Sequence, residues 1–136
     1  MLIHQKIRHQ IVELLKPQIT GVQHFYSGRP LFIDIDQDKS AIAVFIDDIQ
    51  CDELTLCSHE WEASLNIAIY LKTSVGEDEL DNIAEQIKSR LMTAIENDEL
   101  PSQLNEITLS GYTYEQDQTN RTWFVANVRY QIKYED

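Results

Sequence analysis

The stretch Glu60 to Lys72 constrains the fold more than any other part of the chain. Trp61, Ala63, Leu65, Ile67, Ile69 and Leu71 are apolar, while the alternate positions Glu60, Glu62, Ser64, Asn66 and Lys72 are polar, with Ala68 and Tyr70 between. Side chains of a strand alternate faces with period two, so the segment reads as one long strand with one dry face. Leu65 belongs to that face, and Ser64 and Asn66 to the opposite, wet one. The pattern recurs at the end of the chain. There Phe124, Ala126, Val128, Tyr130, Ile132 and Tyr134 alternate with Trp123, Asn127, Arg129, Gln131 and Lys133. Neither strand carries a converging nucleophile, base and metal ligand, which points to a scaffold that works through its surfaces.

Helices frame these strands. Ile3, Ile7, Ile11, Leu14 and Leu15 fall on one arc at 3.6-residue spacing, so Leu2 to Lys16 forms a helix that Pro17 stops. Asp78 to Glu96 forms a second helix, with Leu80, Ile83, Ala84, Ile87, Leu91, Ala94 and Ile95 on one face. Between the helices, Ile19 to Tyr26 is a loop or short strand and Ser27-Gly28-Arg29-Pro30 a turn. Leu31 to Ile35 and Ala41 to Ile46 read as a strand pair around a polar tip, and Asp47 to Ser58 is acidic and only partly alternating. Ile107 to Glu115 and Thr122 to Tyr134 are the last strands, joined by a polar loop. The order α-β-β-(β)-β-α-β-β makes residues 1–136 a single α+β domain, with two helices on one face of a mostly antiparallel sheet. A chain of 136 residues can bury one sizeable core.

Charge excludes several function classes. The net charge is −12, and it is unevenly placed: residues 1–33 carry +3 and the remaining 103 residues −15. Such a surface repels phosphate backbones, which argues against sequence-specific nucleic-acid binding. It also suits a positive N-terminal element meeting a negative patch on an identical neighbour, a heterologous contact that closes into a ring when the rotation permits. Candidate contact residues are Lys6, Arg8 and Arg29 on the positive side. Asp47, Asp48, Asp52 and Glu53 are candidates on the negative side. The longest apolar run, Ala41 to Ile46, has six residues, where a membrane span needs about 20. The first residues turn polar too soon for a signal peptide. Two cysteines are too few for a disulfide scaffold, which favours a reducing compartment such as the cytoplasm.

Apparent catalytic and metal motifs fail on inspection. Asp34-x-Asp36-x-Asp38 opens like a calcium loop, but Lys39 and Phe45 stand where a glycine and a bidentate glutamate are needed. Cys51, Cys57 and His59 lack a fourth zinc ligand. His4, His9 and His24 read as surface or helix-flank histidines with no nucleophile to serve. No cofactor is implied. The acidic start of the second helix, Glu77-Asp78-Glu79, has two meanings. It complements the helix dipole, and it is a weak candidate for a divalent cation or subunit contact, because three carboxylates in one turn repel unless screened. Aromatic residues near the C-terminus (Tyr112, Tyr114, Trp123, Phe124, Tyr130, Tyr134) are sheet and core formers, and those on an exposed face are candidate interface anchors.

A series of segments carries a family resemblance: Phe25-Tyr26-Ser27-Gly28-Arg29-Pro30, Ala41-Ile42-Ala43-Val44-Phe45, Glu53-Leu54 and Trp61-Glu62-Ala63-Ser64-Leu65-Asn66-Ile67. It continues with Glu79-Leu80-Asp81, Ser110-Gly111-Tyr112-Thr113-Tyr114 and Tyr130-Gln131-Ile132-Lys133-Tyr134-Glu135. In order and spacing the chain resembles the lambda-type phage minor tail protein U family, the tail terminators, although the acidic turn departs in detail. The resemblance implies a non-enzymatic virion protein, of phage or prophage origin, assembled in the bacterial cytoplasm. It implies a homohexameric ring that caps the tail tube, ends its elongation and presents its other face to a head-completion protein. DNA would pass through the ring without being gripped. Two rivals remain at this level. One is a small metal-dependent hydrolase using clustered carboxylates, although almost no cation accompanies those carboxylates to hold a phosphate. The other is a different head–tail joining protein of prophage origin.

Overall fold

The computed structural model describes residues 2–29, 39–53, 59–72, 77–116 and 123–136. In chain order the elements are α1 (Ile3–Leu15), β1 (His24–Ser27), β2 (Ser40–Glu53), β3 (His59–Lys72), α2 (Glu77–Glu96), β4 (Leu104–Gln116) and β5 (Trp123–Glu135). The strands form one sheet in the order β1-β2-β3-β5-β4. β1 runs parallel to β2, and every other pairing is antiparallel. This is the expected α+β architecture, with β1 as the parallel exception.

Alternation along β3 sets the two faces. Ala63, Leu65, Ile67, Ile69 and Leu71 point to the helix side. There they join Ile42, Val44 and Ile46 of β2 and Ala126, Val128, Tyr130, Ile132 and Tyr134 of β5. Against this layer lie Ile7, Ile11 and Leu15 of α1 and Leu80, Ile83, Ile87 and Leu91 of α2, all fully buried. Removing that much apolar surface from water is the main force holding the two layers together. Polar ties fix the helices laterally. Arg90 Nε donates to the Leu14 carbonyl at 3.1 Å, and Gln86 Oε1 accepts from the Thr20 amide at 2.9 Å.

α2 ends in a reciprocal carbonyl cap. The Glu99 amide donates to the Ala94 carbonyl at 2.8 Å and the Asp98 amide to the Ile95 carbonyl at 3.3 Å, with Asp98 in the left-handed region at φ 56°. Ile95 departs from its expected place in the buried arc: it is 49% exposed, because Ala94 takes the inward position and Ile95 sits at the rim of the arc.

The face opposite the helices also departs from expectation. Asn66 is 1% exposed and Ser64 9%, although no described helix covers them. They lie mid-sheet, where taller neighbours on β2 and β5 shut out water. Asn66 Nδ2 donates to Asp47 Oδ1 at 2.9 Å, and Asn127 Nδ2 donates to Asn66 Oδ1 at 3.0 Å. The result is a polar ladder across three strands. Of the ambiguous segment Asp47 to Ser58, residues 47–53 form the second half of β2, and 54–58 lie outside the described residues. A bulge between Asp47 and Gln50, with Asp48 at φ 50°, breaks its alternation. The expected strand at 31–35, the aspartate tip and the last hairpin loop lie outside the described residues.

Candidate functional site

The open sheet face carries a shallow cleft of about 350 Å³ above the asparagine ladder. Arg29 stands at one side. Its guanidinium lies 4.1 Å from the centre of the Phe45 ring and 3.3 Å from Asp47 Oδ2. Gly28 directs the chain there: it holds φ 91°, a conformation that side chains other than glycine's seldom adopt, and its amide bonds the Val44 carbonyl at 2.7 Å. Across the cleft Arg129 reaches Asp48 at 3.8 Å, and its Nε is buried without a partner.

Of the proposed contact residues, then, Arg29 and Asp47 meet within one chain and Asp48 meets Arg129. Lys6 and Arg8 stand on α1 away from these acids. Asp52 is exposed toward the end of β2, and the side chain of Glu53 lies outside those described. Arg8 Nε is buried and unpartnered, 3.9 Å from where a Cβ on Gly28 would sit, so this cation lies over the end of β1.

At the start of α2, Glu77 and Asp78 are exposed, and Glu79 turns toward Gly21. Among the described residues no group of three His, Cys, Asp or Glu side chains is placed to hold a metal ion. Cys51 is exposed, and Cys57 lies outside the described residues. No described helix is long and apolar enough to cross a membrane.

Of the two places the sequence suggests for His4, surface or helix flank, the structure shows the second: it lies in the first turn of α1 and is partly buried. Its ring packs edge-on against Trp61 at 4.9 Å, and the Tyr134 hydroxyl lies 2.8 Å from Nδ1. Burial first, and Arg8 second, hold its pKa below the usual histidine value, with Asp136 opposing. Burial pushes the Tyr134 hydroxyl up to about 12. A hydrogen bond between a neutral imidazole and a neutral phenol thus pins the start of α1 to β3 and β5. Periodicity carries no signal for this contact, because it joins residues 130 positions apart.

Among the described residues, two helices cover one face of a sheet whose opposite face is polar and whose outer strands are β1 and β4. The match to known proteins makes the class specific. The family described as phage minor tail protein U matches residues 2–134, and the chain belongs to it. The tail tube terminator protein of Escherichia phage lambda is 30% identical over 132 residues, covering 97% of this chain and 98% of that one. The corresponding protein of Escherichia phage N15 is 27% identical over the same length, with the same coverage. Kinship with two proteins named as tail tube terminators makes the role a non-enzymatic one.

Proposed function

We propose that this protein terminates a phage tail. A homohexameric ring of it would dock on the end of the tail tube, block further tube subunits and offer its far face to the head-completion protein. The observation that carries this reading is coverage. Both tail tube terminators align over 98% of their own length, so the likeness spans the whole chain and not one part of it. Two further features support it. A ring needs two different subunit edges, and a sheet bounded by β1 and β4 supplies them. The net charge of −12 also makes it easy for a ring of this chain to pass DNA without gripping its phosphates. In this reading the protein is assembled in the host cytoplasm and resides in the virion tail. Lys6, Arg8, Arg29 and the β2 acids are available for subunit contacts, and Glu77 to Glu79 for a subunit contact or a screening cation.

The test is deletion of the gene from an active phage, followed by electron microscopy of lysates. Normal heads beside abnormally long, headless tails are expected. Tails of normal length that merely fail to join heads would mean that the protein joins without terminating. Complete virions would refute both roles.

A further inference from the structure

β4 is the outermost strand, and among the described residues only its β5 side is paired. That leaves a 13-residue edge of backbone donors and acceptors without a strand neighbour. Natural proteins normally blunt such an edge with charge, bulges or a short strand. β1, at the other side of the sheet, has only four residues. β4 has two bulges and several acids, yet it does not hide its apolar groups. Of the six exposed large hydrophobic residues among those described, four, Met92, Ile95, Leu109 and Tyr114, belong to this edge and the helix beside it.

Their arrangement follows from register. Ile107, Leu109, Tyr112 and Tyr114 pair with Ile132, Tyr130, Val128 and Ala126, so they point to the helix side. The facing flank of α2 is the stripe Asp81, Lys88, Met92 and Ile95. Polar contacts close the upper part of this seam: the Tyr114 hydroxyl bonds Asp81, and Lys88 Nζ lies 5.3 Å from the Tyr112 ring centre. The lower part is open. Met92 is 62% exposed and Leu109 46%, and below them Ile95, Leu100, Leu104 and Ile107 line a hollow of about 410 Å³.

We propose that this α2–β4 edge docks on the α1–β1 edge of a second copy of the chain, and that this contact closes the ring; the inference rests on the ring reading above. Two observations select a second copy as occupant. β1 and β4 bound opposite sides of one sheet, so joining them is head-to-tail by construction, and repeating the operation generates a ring or a helix. The edges are also complementary in charge. Asp81, Glu85, Glu106 and Glu115 on the β4 side outnumber Lys88 and Lys133, which pair with Glu85 and Glu106, whereas α1 and its C-cap offer Lys6, Arg8 and Lys16 against Glu13 alone. Arg8, partly exposed on α1 and with its Nε 3.9 Å from where a Cβ on Gly28 would sit, lies over the end of β1 and so belongs to this edge.

Sedimentation velocity decides this under conditions where the wild type forms rings. Leu109→Lys should weaken self-association about tenfold or more while leaving the melting curve in place. Ile49→Lys, at an exposed apolar residue elsewhere on the sheet, should still give rings. The double variant Lys6→Glu/Arg8→Glu should be monomeric alone. Mixed with Leu109→Lys it should form a 1:1 dimer that grows no further, because each partner keeps one good edge. If Leu109→Lys fails to fold, Ile95→Lys reads the same seam, and Lys6→Glu alone replaces the double variant on the same ground. Rings persisting in both edge variants, or a mixture that stays monomeric, would overturn the edge assignment and leave the ring reading intact. A wild type that never self-associates, in solution or at tube ends, would overturn the ring reading and this contact with it.

Discussion

Positions 64 to 66 of β3 separate two accounts of the sheet. On alternation alone Leu65 is dry and its neighbours wet, so only Leu65→Ala should be costly. Leu65 is fully buried between Ile46 and Tyr130, and its truncation should cost ~2–5 kcal/mol through lost burial and a cavity. Asn66 should also be costly. It makes side-chain bonds of 2.9 Å to Asp47 and 3.0 Å from Asn127, each worth about 1 kcal/mol net. Asn66→Ala strands one partly buried group on either side. Asp47 keeps Arg29 and some water, which softens the loss on its side. The sum is about 2–3 kcal/mol. Ser64→Ala should cost under about 1 kcal/mol. Urea unfolding under monomeric conditions measures all three, provided the slope with denaturant is unchanged. A cycle with Asn127→Ala should show a coupling of at least about 0.5 kcal/mol. An Asn66→Ala variant that unfolds at the wild-type midpoint would show that the ladder contributes nothing and that open-face burial is mere crowding.

The remaining expectations concern pH and assembly. His4 has a depressed pKa in the folded state, so below its ordinary value of 6.5 the unfolded chain takes the proton first. Stability should therefore be complete above about pH 6.5 and fall as pH drops from there through the folded-state pKa. His4→Gln should flatten that slope in melts from pH 5 to 7.5, with Arg8, Asp136, Tyr134, Trp61 and nearby His59 unchanged; an identical slope would exonerate His4. Six subunits at −12 bring about −72 into one ring, so dilute protein should be monomeric at low salt and form rings at higher salt, with millimolar magnesium or on a tube end. Full hexamers at low salt would refute the repulsion argument. Glu77→Ala or Asp78→Ala should shift the magnesium dependence in sedimentation velocity more than the melting temperature, and the reverse order would leave those acids a purely local role.

Periodicity made most of the fold legible. β3, β5 and both helices emerge within a residue or two of their observed ends, because each buries one regular stripe and is selected for doing so. Where the chain departs from regularity the pattern fails. The bulge after Asp47 puts 47 and 50 on the same face, so β2 looks like acidic coil beyond that point. β1 is four residues paired in parallel to a later strand, too short to show a period at all. Ile95 sits at the rim of its helical arc, where the choice between burial and exposure depends on what lies alongside. Polarity misled at Asn66 for a related reason: a polar residue in mid-sheet can be dry if its hydrogen bonds run sideways along the strands.

The surfaces were the least legible part, and the reason is physical. A core residue is constrained by elements of its own chain, so its signal repeats along the sequence. An edge residue such as Leu109 or Met92 answers to a partner absent from the sequence, and no periodicity marks it. The seven residues first picked out for subunit contact were chosen by charge, and charge alone could not say that Arg29 and Asp47 meet each other within one subunit. What separates a contact surface from a solvated one here is the coincidence, among the described residues, of a strand edge without a neighbour, exposed apolar side chains and a cation-rich helix at the opposite edge. A lone monomer gains nothing from keeping that edge open, because an open edge invites aggregation. A subunit that must add to identical neighbours needs one such edge, and needs the opposite edge to differ from it so that growth turns in one direction only.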